Sequence, residues 1–229
     1  MNAATFASSG MAPGSIASLF GNFGFASPAQ ASGVPLPTAL AGLSVQFQFG
    51  TVSIDAPLFY ASPEQINLQI PWELAGQSSA NIRPILNGVA GAMQSLGLAP
   101  FSPGIFLAGP PGAQIAAILD SSGQLISFTN LATAGKVLEI YCTGLGLVTN
   151  PPASGSAASN TTLSETVTTP IVTIGGVLAK VLFSGLAPGT VGEYQVNIQV
   201  PSGLTPGSAV PLVLSIGGVP ADTVTIPVQ

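Results

Sequence analysis

Strict alternation of apolar and amide side chains marks two nine-residue segments of the chain. Residues 63–71 read PEQINLQIP and residues 193–201 read EYQVNIQVP, so Gln, Asn and Gln recur at matching places 130 positions apart. A period of two places successive side chains on opposite faces of a β-strand. Each segment is therefore predicted to form a strand with one apolar and one amide face. Each strand ends at a proline, which cannot donate to a ladder.

The repetition extends beyond these two strands and predicts two copies of one unit. Upstream, GSIASLFG at residues 14–21 matches GKVLEIYC at residues 135–142 in hydrophobic phase. Downstream, NIRPILNGVAGAMQSLGLAP resembles AVPLVLSIGGVPADTVTIPVQ, and each contains two strands around an Asn-Gly or Gly-Gly turn typical of tight hairpins. Each copy holds about 100 residues, a common length for one domain.

Helical periodicity is almost absent, and short apolar runs are bounded by Gly, Pro, Asn and Ser. Six strands are predicted in each copy: SIASLF, LSVQFQF, APLFYA, QINLQI, NIRPIL and AMQSLGL in the first, and KVLEIYC, PIVTIGG, AKVLFSG, YQVNIQV, AVPLVLSI and DTVTIPV in the second. Short strands with a turn signal about every 8 to 12 residues are typical of β-sandwiches. The predicted fold is all-β, with one sandwich at residues 1–100, a junction segment with a hairpin at 101–130, and a second sandwich at 131–229.

Two long polar segments of low complexity are predicted to be loops. They are GFASPAQASGVPLPT at residues 24–38 and TNPPASGSAASNTTLSE at residues 149–165, which occupy corresponding places in the two copies. Loops of this composition usually run over the surface, so both are expected to be exposed and mobile.

The composition excludes several classes of partner. Only 5% of the 229 residues are charged, three of them are Lys or Arg, and the net charge is −5. Nucleic acid and anionic lipid are therefore not expected to bind, because no basic patch is available to neutralise phosphates. Although 47% of the residues are hydrophobic, 28 Gly and 21 Pro keep every apolar run far below the roughly 18 residues of a membrane helix. No membrane insertion is expected.

The residue types needed for catalysis or metal binding are missing or scattered. The chain has no histidine and one cysteine, Cys142, so no serine or cysteine nucleophile has a histidine base. The DSSG segment at residues 120–123 lacks the further acidic ligands of a calcium loop. No catalytic residue, cofactor site or metal site is predicted, because the eight carboxylates occur singly: Asp55, Glu64, Glu73, Asp120, Glu139, Glu165, Glu193 and Asp222.

Five residues are candidate contacts with a partner or a glycan: Tyr60, Trp72, Gln65, Asn67 and Gln69. Tyrosine and tryptophan combine apolar area with a polar tip, so Trp72 beside Tyr60 suits a sugar ring or a protein partner. The alternative is that Trp72 closes the end of the first sandwich or the junction between the copies. The amides are either solvent-facing residues or members of amide ladders with neighbouring strands or chains.

The motifs also resemble a known family. NAATF, APGSIASLFG, LPTALAGLSV, APLFYASPEQINLQIPWE, SPGIF, YCTGLG, TIGG and VLFSGLAPGTVGEYQVNIQVP are similar to the C-terminal repeat region of large secreted proteins of Solibacter-type acidobacteria. The resemblance spans residues 2–229, and each half also resembles the immunoglobulin-like IPT/TIG domain. It implies an extracellular or cell-surface protein with two tandem immunoglobulin-like sandwiches. The first charged residue is Asp55, so no signal peptide is visible, and a secreted protein would carry its signal outside this sequence.

Two functional hypotheses follow. The first is a non-enzymatic structural module that self-associates into a filament or surface layer, because few charges oppose sheet-to-sheet contact. Its predicted subunit contacts are the charge-free segment 2–33 or the junction 101–130. The alternative is an accessory module that attaches larger secreted proteins to a glycan or the cell wall through the aromatic and amide residues.

Overall fold

The computed structural model describes residues 1–24 and 27–229 and is all-β. A single turn of 3-10 helix, Trp72–Leu74, is the only helical element among these residues. The described part of the N-terminal half, residues 1–24 and 27–100, contains ten strands: β1 Ile16–Phe20, β2 Ala29–Gln30, β3 Ala39–Leu40, β4 Leu43–Phe49, β5 Val52–Asp55, β6 Leu58–Ala61, β7 Gln65–Gln69, β8 Ser79–Leu86, β9 Val89–Ala90 and β10 Gln94–Gly97.

The C-terminal half, residues 101–229, contains eleven further strands. They are β11 Gly104–Ile105, β12 Leu107–Ala108, β13 Ile115–Ala116, β14 Ile118–Asp120, β15 Val137–Thr143, β16 Ile171–Ile174, β17 Val177–Leu186, β18 Tyr194–Gln199, β19 Gly207–Ile216, β20 Val219–Pro220 and β21 Val224–Val228. All twelve strands predicted from the sequence are confirmed. The sequence pattern missed β5 and most of the two-residue strands, which are too short to show alternation.

Two sheets enclose the core of the N-terminal half. One has the order β1-β7-β6-β2, and the other has the order β10-β8-β4-β3, with β5 on β4 and β9 on β8. The two sheets contribute alternate apolar residues to one buried cluster, among them Leu58, Ile66 and Leu68 from the first and Val45 and Phe47 from the second. The Asn-Gly turn joins β8 to β9 as predicted, with positive φ at both turn residues.

The sheets of the C-terminal half are joined by one long strand. The first residues of β17 pair with β16, and from Lys180 onward the strand pairs with β18. The strand order is therefore β11-β15-β18-β17-β16-β19-β20, with β14 paired to β15 and β21 paired to β19. In the N-terminal half, the corresponding stretch is divided into β5 and β6 around Ala56 and Pro57. Proline interrupts the ladder at this point because it has no N–H to donate.

The two amide strands occupy equivalent places in their sheets. Gln69 of β7 lies opposite Ile16 of β1, and Gln199 of β18 lies opposite Val137 of β15. This register reproduces the alignment of GSIASLFG with GKVLEIYC. On its other edge, each amide strand pairs with a partner whose register shifts by one residue. In the β7–β6 pair the shift falls between Leu68 and Asn67, and in the β18–β17 pair it falls at the equivalent place, between Ile198 and Asn197. The prediction that the duplicated strands are structurally equivalent is confirmed.

The first segment of each half also pairs in the same way. Met11 forms a parallel bridge with Leu98 near the end of the N-terminal half, and Ala132 forms a parallel bridge with Val228 near the end of the C-terminal half. The N-terminal segment is held further by Asn2, whose Nδ2 donates to the carbonyl of Ser102 at 2.6 Å. The repeat therefore includes the segments before β1 and before β15.

The segments predicted to contact other subunits pack largely within their own chain. Asn2 and Met11 are 1% exposed, and Ile105 and Ile118 of the junction belong to the core of the C-terminal half. Strand β14 of the predicted junction hairpin pairs with β15. Phe25 and Ala26, which belong to the predicted segment 2–33 and loop 24–38, lie outside the described residues. Among the described residues of these two segments, the large apolar side chains left exposed are Phe6, Phe20, Leu107 and Phe128.

The expectation that loop 149–165 is exposed and mobile is wrong for its middle part. Gly155 and Ala158 are buried, and the Gly155 carbonyl accepts the N–H of Leu36 from the other half at 2.8 Å. The loop is polar because it forms hydrogen bonds across this contact.

No helix within residues 1–24 and 27–229 has the length and apolar character needed to cross a membrane.

Candidate functional site

The two amide strands carry the same side-chain hydrogen bond. Nε2 of Gln65 donates to Oδ1 of Asn67 at 2.8 Å, and Nε2 of Gln195 donates to Oδ1 of Asn197 at 2.8 Å. All four side chains are half-exposed, while the residues between them are buried. Oδ1 of Asn67 also accepts the hydroxyl of Ser18 from β1 at 2.9 Å. The Gln and Asn of each strand therefore form a fixed pair on the outward face of the sheet.

The last amide of each strand holds the turn before the first strand of its half. Nε2 of Gln69 donates to the Gly14 carbonyl at 3.3 Å, and Nε2 of Gln199 donates to the Gly135 carbonyl at 3.2 Å. In the N-terminal half, Oε1 of Gln69 also accepts the N–H of Gly155 at 2.7 Å, which leaves Gln69 1% exposed. Gln69 therefore connects the two halves. The prediction that it contacts a partner or a glycan is wrong, because its side chain is buried.

Trp72 is also buried between the two halves. Its side chain is 9% exposed and packs in the core of the C-terminal half, although it follows β7 of the N-terminal half. The ring lies so close to Gly14 that a Cβ atom there would overlap it. Its backbone N–H donates to Oγ of Ser154 at 2.9 Å, and this hydroxyl donates to Glu73 at 2.6 Å. Trp72 is therefore not an exposed glycan contact. It closes the junction between the two halves, which is the alternative that the sequence analysis left open.

The other three candidate residues lie together on an exposed sheet face. Tyr60 of β6 lies opposite Asn67, beside Gln65, and all three are half-exposed. Phe20 of β1 lies opposite Gln65, is 51% exposed and was missed as a candidate. The signal that could have found it is the alignment of GSIASLFG with GKVLEIYC, which pairs Phe20 with Tyr141 and so gives both copies an aromatic residue at this position.

A buried threonine links the two halves near this face. Oγ1 of Thr143, at the end of β15, accepts the N–H of Ile16 at 3.0 Å and donates to the Gly192 carbonyl at 2.8 Å. Thr143 is fully buried, and its hydroxyl satisfies one backbone group from each half. Together with the bonds of Gln69 and Trp72, it fixes the orientation of the two halves.

A groove between the halves contains one carboxylate. The groove has a volume of about 530 Å³ and is lined by Ile16, Val34, Phe59, Val191 and Glu193, among others. Partial burial raises the pKa of the Glu193 carboxyl. A second cavity of about 390 Å³, lined by residues such as Pro13, Leu98 and Leu147, has no ionisable side chain in its wall.

Glu193→Gln is expected to stabilise the protein at neutral pH. Below the ordinary carboxyl pKa of 4.5, Glu193 is protonated in both the folded and unfolded states and costs nothing. Above its raised folded-state pKa, it is ionised in both states, and the folded state bears the cost of a partly buried charge. The stability difference between variant and wild type should grow as the pH rises from about 4.5 towards 7.

Equilibrium urea unfolding at several pH values measures this difference. Glu64→Gln, at an exposed position just before β7, removes the same charge and serves as the control. An equal free energy of unfolding for Glu193→Gln and wild type at pH 7 would contradict the prediction.

The cysteine and the acidic turn have structural roles. Burial raises the pKa of the Cys142 thiol, which is fully buried on β15 and remains neutral. Asp120 accepts hydrogen bonds from Ser122, Gln124 and Asn130, and these bonds lower the pKa of its carboxyl. The turn thus uses this carboxylate internally, as expected of a hairpin. Within the described parts of the chain, no three His, Cys, Asp or Glu residues cluster as metal ligands would.

Comparisons with known proteins leave the family open. No protein-family model matches the chain, and no curated protein matches it. A beta-glycosidase from Bacteroides vulgatus is 14% identical with a TM-score of 0.24, over 81% of this chain and 21% of that one. The I9-I11 tandem from titin is 10% identical with a TM-score of 0.23, over 95% of this chain and 61% of that one. The chain thus spans less than two thirds of either structure, and likeness at this level supports no conclusion about function.

Proposed function

We propose that the protein is a non-enzymatic structural module, located outside the cell or on its surface, that self-associates through an apolar sheet face. Its units are two tandem immunoglobulin-like β-sandwiches, residues 1–100 and 131–229, with the junction 101–130 packed onto the second. The immunoglobulin-like assignment is supported by two antiparallel sheets around each core and by the parallel bridge between the first and last segments of each half.

An exposed apolar face on the C-terminal half carries the proposal. It is formed by outward residues of β16, β17 and β19 and includes Ile171 at 58% exposure and Leu178 at 66%. Thr173 lies between Leu178 and Val213 in one cross-strand row, and Ser215 lies opposite Ile171. None of these five strand positions carries a charge, although Lys180 is exposed on the same side of β17, two residues after Leu178. Exposed apolar side chains grouped in this way usually mark a contact site.

The fold itself does not require this face to be apolar. The equivalent sheet of the N-terminal half presents polar residues, with Arg83 donating to Oε1 of Gln46 through Nε at 3.1 Å and Nη2 at 2.7 Å. Asp55 lies opposite Gln46 on the next strand. One half therefore has a polar and charged outer face, and the other has a mainly apolar one that includes Lys180, as expected where a second molecule covers only the latter.

Sedimentation velocity over a range of protein concentrations tests the proposal. The average mass of the wild type should rise with concentration, because association buries Ile171 and Leu178. Leu178→Lys should weaken association at least about 10-fold, since a cation would be desolvated at the contact. The matched control is Val89→Lys, at a 73% exposed position on the β8–β9 hairpin of the other half.

Two results would contradict self-association through this face. One is a wild-type protein that remains monomeric at every concentration. The other is an equal effect of Leu178→Lys and Val89→Lys, which would indicate that the introduced charge acts without regard to its place.

A further inference from the structure

The same combination of aromatic and amide residues appears on one outer face of each half. In the N-terminal half, Phe20 lies opposite Gln65, and Tyr60 lies opposite Asn67. In the C-terminal half, the cross-strand pairs are Tyr141 with Gln195 and Phe183 with Asn197. We call these four-residue sets the first and second amide–aromatic faces. Each has an aromatic ring on both sides of a central amide strand.

Packing of the core does not account for this repetition. The four amides point outward, Phe20 is 51% exposed, and Tyr60, Tyr141 and Phe183 are half-exposed. The outer faces of the opposite sheets are polar in one half and mainly apolar in the other, so the two halves do not match on every surface. The amide–aromatic faces match in residue type, in register and in the Gln-to-Asn hydrogen bond of 2.8 Å.

Each amide pair keeps hydrogen-bonding groups available at the surface. Within the described part of the chain, no hydrogen bond uses Oε1 of Gln65 or Nδ2 of Asn67, and the same holds for Gln195 and Asn197. A carbonyl acceptor and an amide donor thus stand side by side on each face. Adjacent hydroxyl groups, which both donate and accept, are the natural complement of such a pair.

The charge of the faces narrows the ligand class. None of the eight residues is charged, so neither face offers a cation to a phosphate, sulfate or carboxylate. Two carboxylates lie near the second face. Glu139 is opposite Asn197 and accepts the Tyr141 hydroxyl at 3.2 Å, and Glu193 also acts on Tyr141 through its charge. Anionic ligands are therefore disfavoured, and an uncharged ligand rich in hydroxyl groups fits best.

We propose that the two amide–aromatic faces are equivalent binding sites for a neutral polysaccharide. The apolar face of a sugar ring would stack on the aromatic side chains, and its hydroxyls would bond to the amide pair. Phe20 and Tyr60 lie on strands two places apart and are offset by two residues along the strand direction, so their Cα atoms are about 12 Å apart. This distance suits more than one sugar unit. Phe20 also packs against the exposed Phe6, with ring centroids 6.0 Å apart, which extends the first face.

Two sites on one rigid chain give an avidity signature that can be measured. Electrophoresis in native gels containing soluble β-1,3-glucan, xyloglucan or galactomannan should retard the wild type in at least one of the three. Tyr60→Ala and Phe183→Ala should each weaken retardation at least about 10-fold, because binding becomes monovalent. The double variant should migrate as it does in a gel without polysaccharide.

Three controls separate saccharide binding from loss of structure. Phe128→Ala removes an aromatic ring that is 76% exposed outside both faces and should not change retardation. Tyr60→Phe and Phe183→Tyr keep a ring at each site and should bind like the wild type. Thermal unfolding of every variant verifies that it is folded in the gel.

The proposal is overturned if the wild type is retarded by none of the three polysaccharides. It is also overturned if the folded double variant is retarded as strongly as the wild type. These results are independent of self-association, because Tyr60 and Phe183 lie outside the apolar face that contains Ile171 and Leu178.

Discussion

Gly14→Ala is expected to lower the free energy of unfolding by about 2–5 kcal/mol. Gly14 has a φ of +82°, a conformation that costs an L-residue about 1–2 kcal/mol. In addition, a Cβ atom at this position would overlap the ring of Trp72, which is buried and cannot move aside without disturbing the core. Urea unfolding followed by the fluorescence of Trp72, the single tryptophan, measures the change.

The repeat supplies a matched control for this substitution. Gly135 occupies the equivalent turn, has a φ of +81°, and would place a Cβ atom in open space. Gly135→Ala should therefore cost only the conformational part, about 1–2 kcal/mol. If both alanine variants are destabilised equally, the contact between Gly14 and Trp72 does not contribute as described.

Trp72→Ala is expected to destabilise the protein by about 3–5 kcal/mol, the usual cost of removing a large buried aromatic side chain. The cavity should form in the core of the C-terminal half, because that is where the ring packs. Calorimetry measures the stability without relying on tryptophan fluorescence. Phe128→Ala, at a 76% exposed position, should change stability by less than about 0.5 kcal/mol.

Hydrogen exchange locates the effect of Trp72→Ala. Amide exchange should become faster in β15 and β18, which line the core that the ring fills, more than in β4 of the other core. Faster exchange confined to β4 would show that Trp72 stabilises the N-terminal half alone. That result would contradict a shared core between Trp72 and the C-terminal half.

The tight contact between the halves bears on both proposals. Gln69, Trp72 and Thr143 connect the halves through buried groups, so the apolar face and the amide–aromatic faces keep a fixed arrangement. A fixed arrangement favours regular association, because each subunit presents its contacts in one orientation. It also favours binding of one polysaccharide at two sites, because little conformational freedom is lost on the second contact.

Twelve strands of the repeat and their duplication could be predicted from the sequence. Alternation at residues 65–70 and 195–200 specified two strands with one buried face, and glycine-containing turns placed the hairpins. These features depend on local spacing, because a strand's two faces are set by neighbouring residues alone. The equivalence of Gln65 with Gln195 could be read directly from the repeat and is matched by the strand register.

Which of the candidate residues remain exposed could not be predicted from the sequence, because it depends on tertiary packing. Alternation gave Gln65, Asn67 and Gln69 the same outward face, yet loop 149–165 covers Gln69 and leaves the other two accessible. Trp72 is buried for the same reason: the core that receives it comes from the other half of the chain. Burial depends on contacts between residues far apart in sequence, and the period of a strand carries no information about what will pack over it.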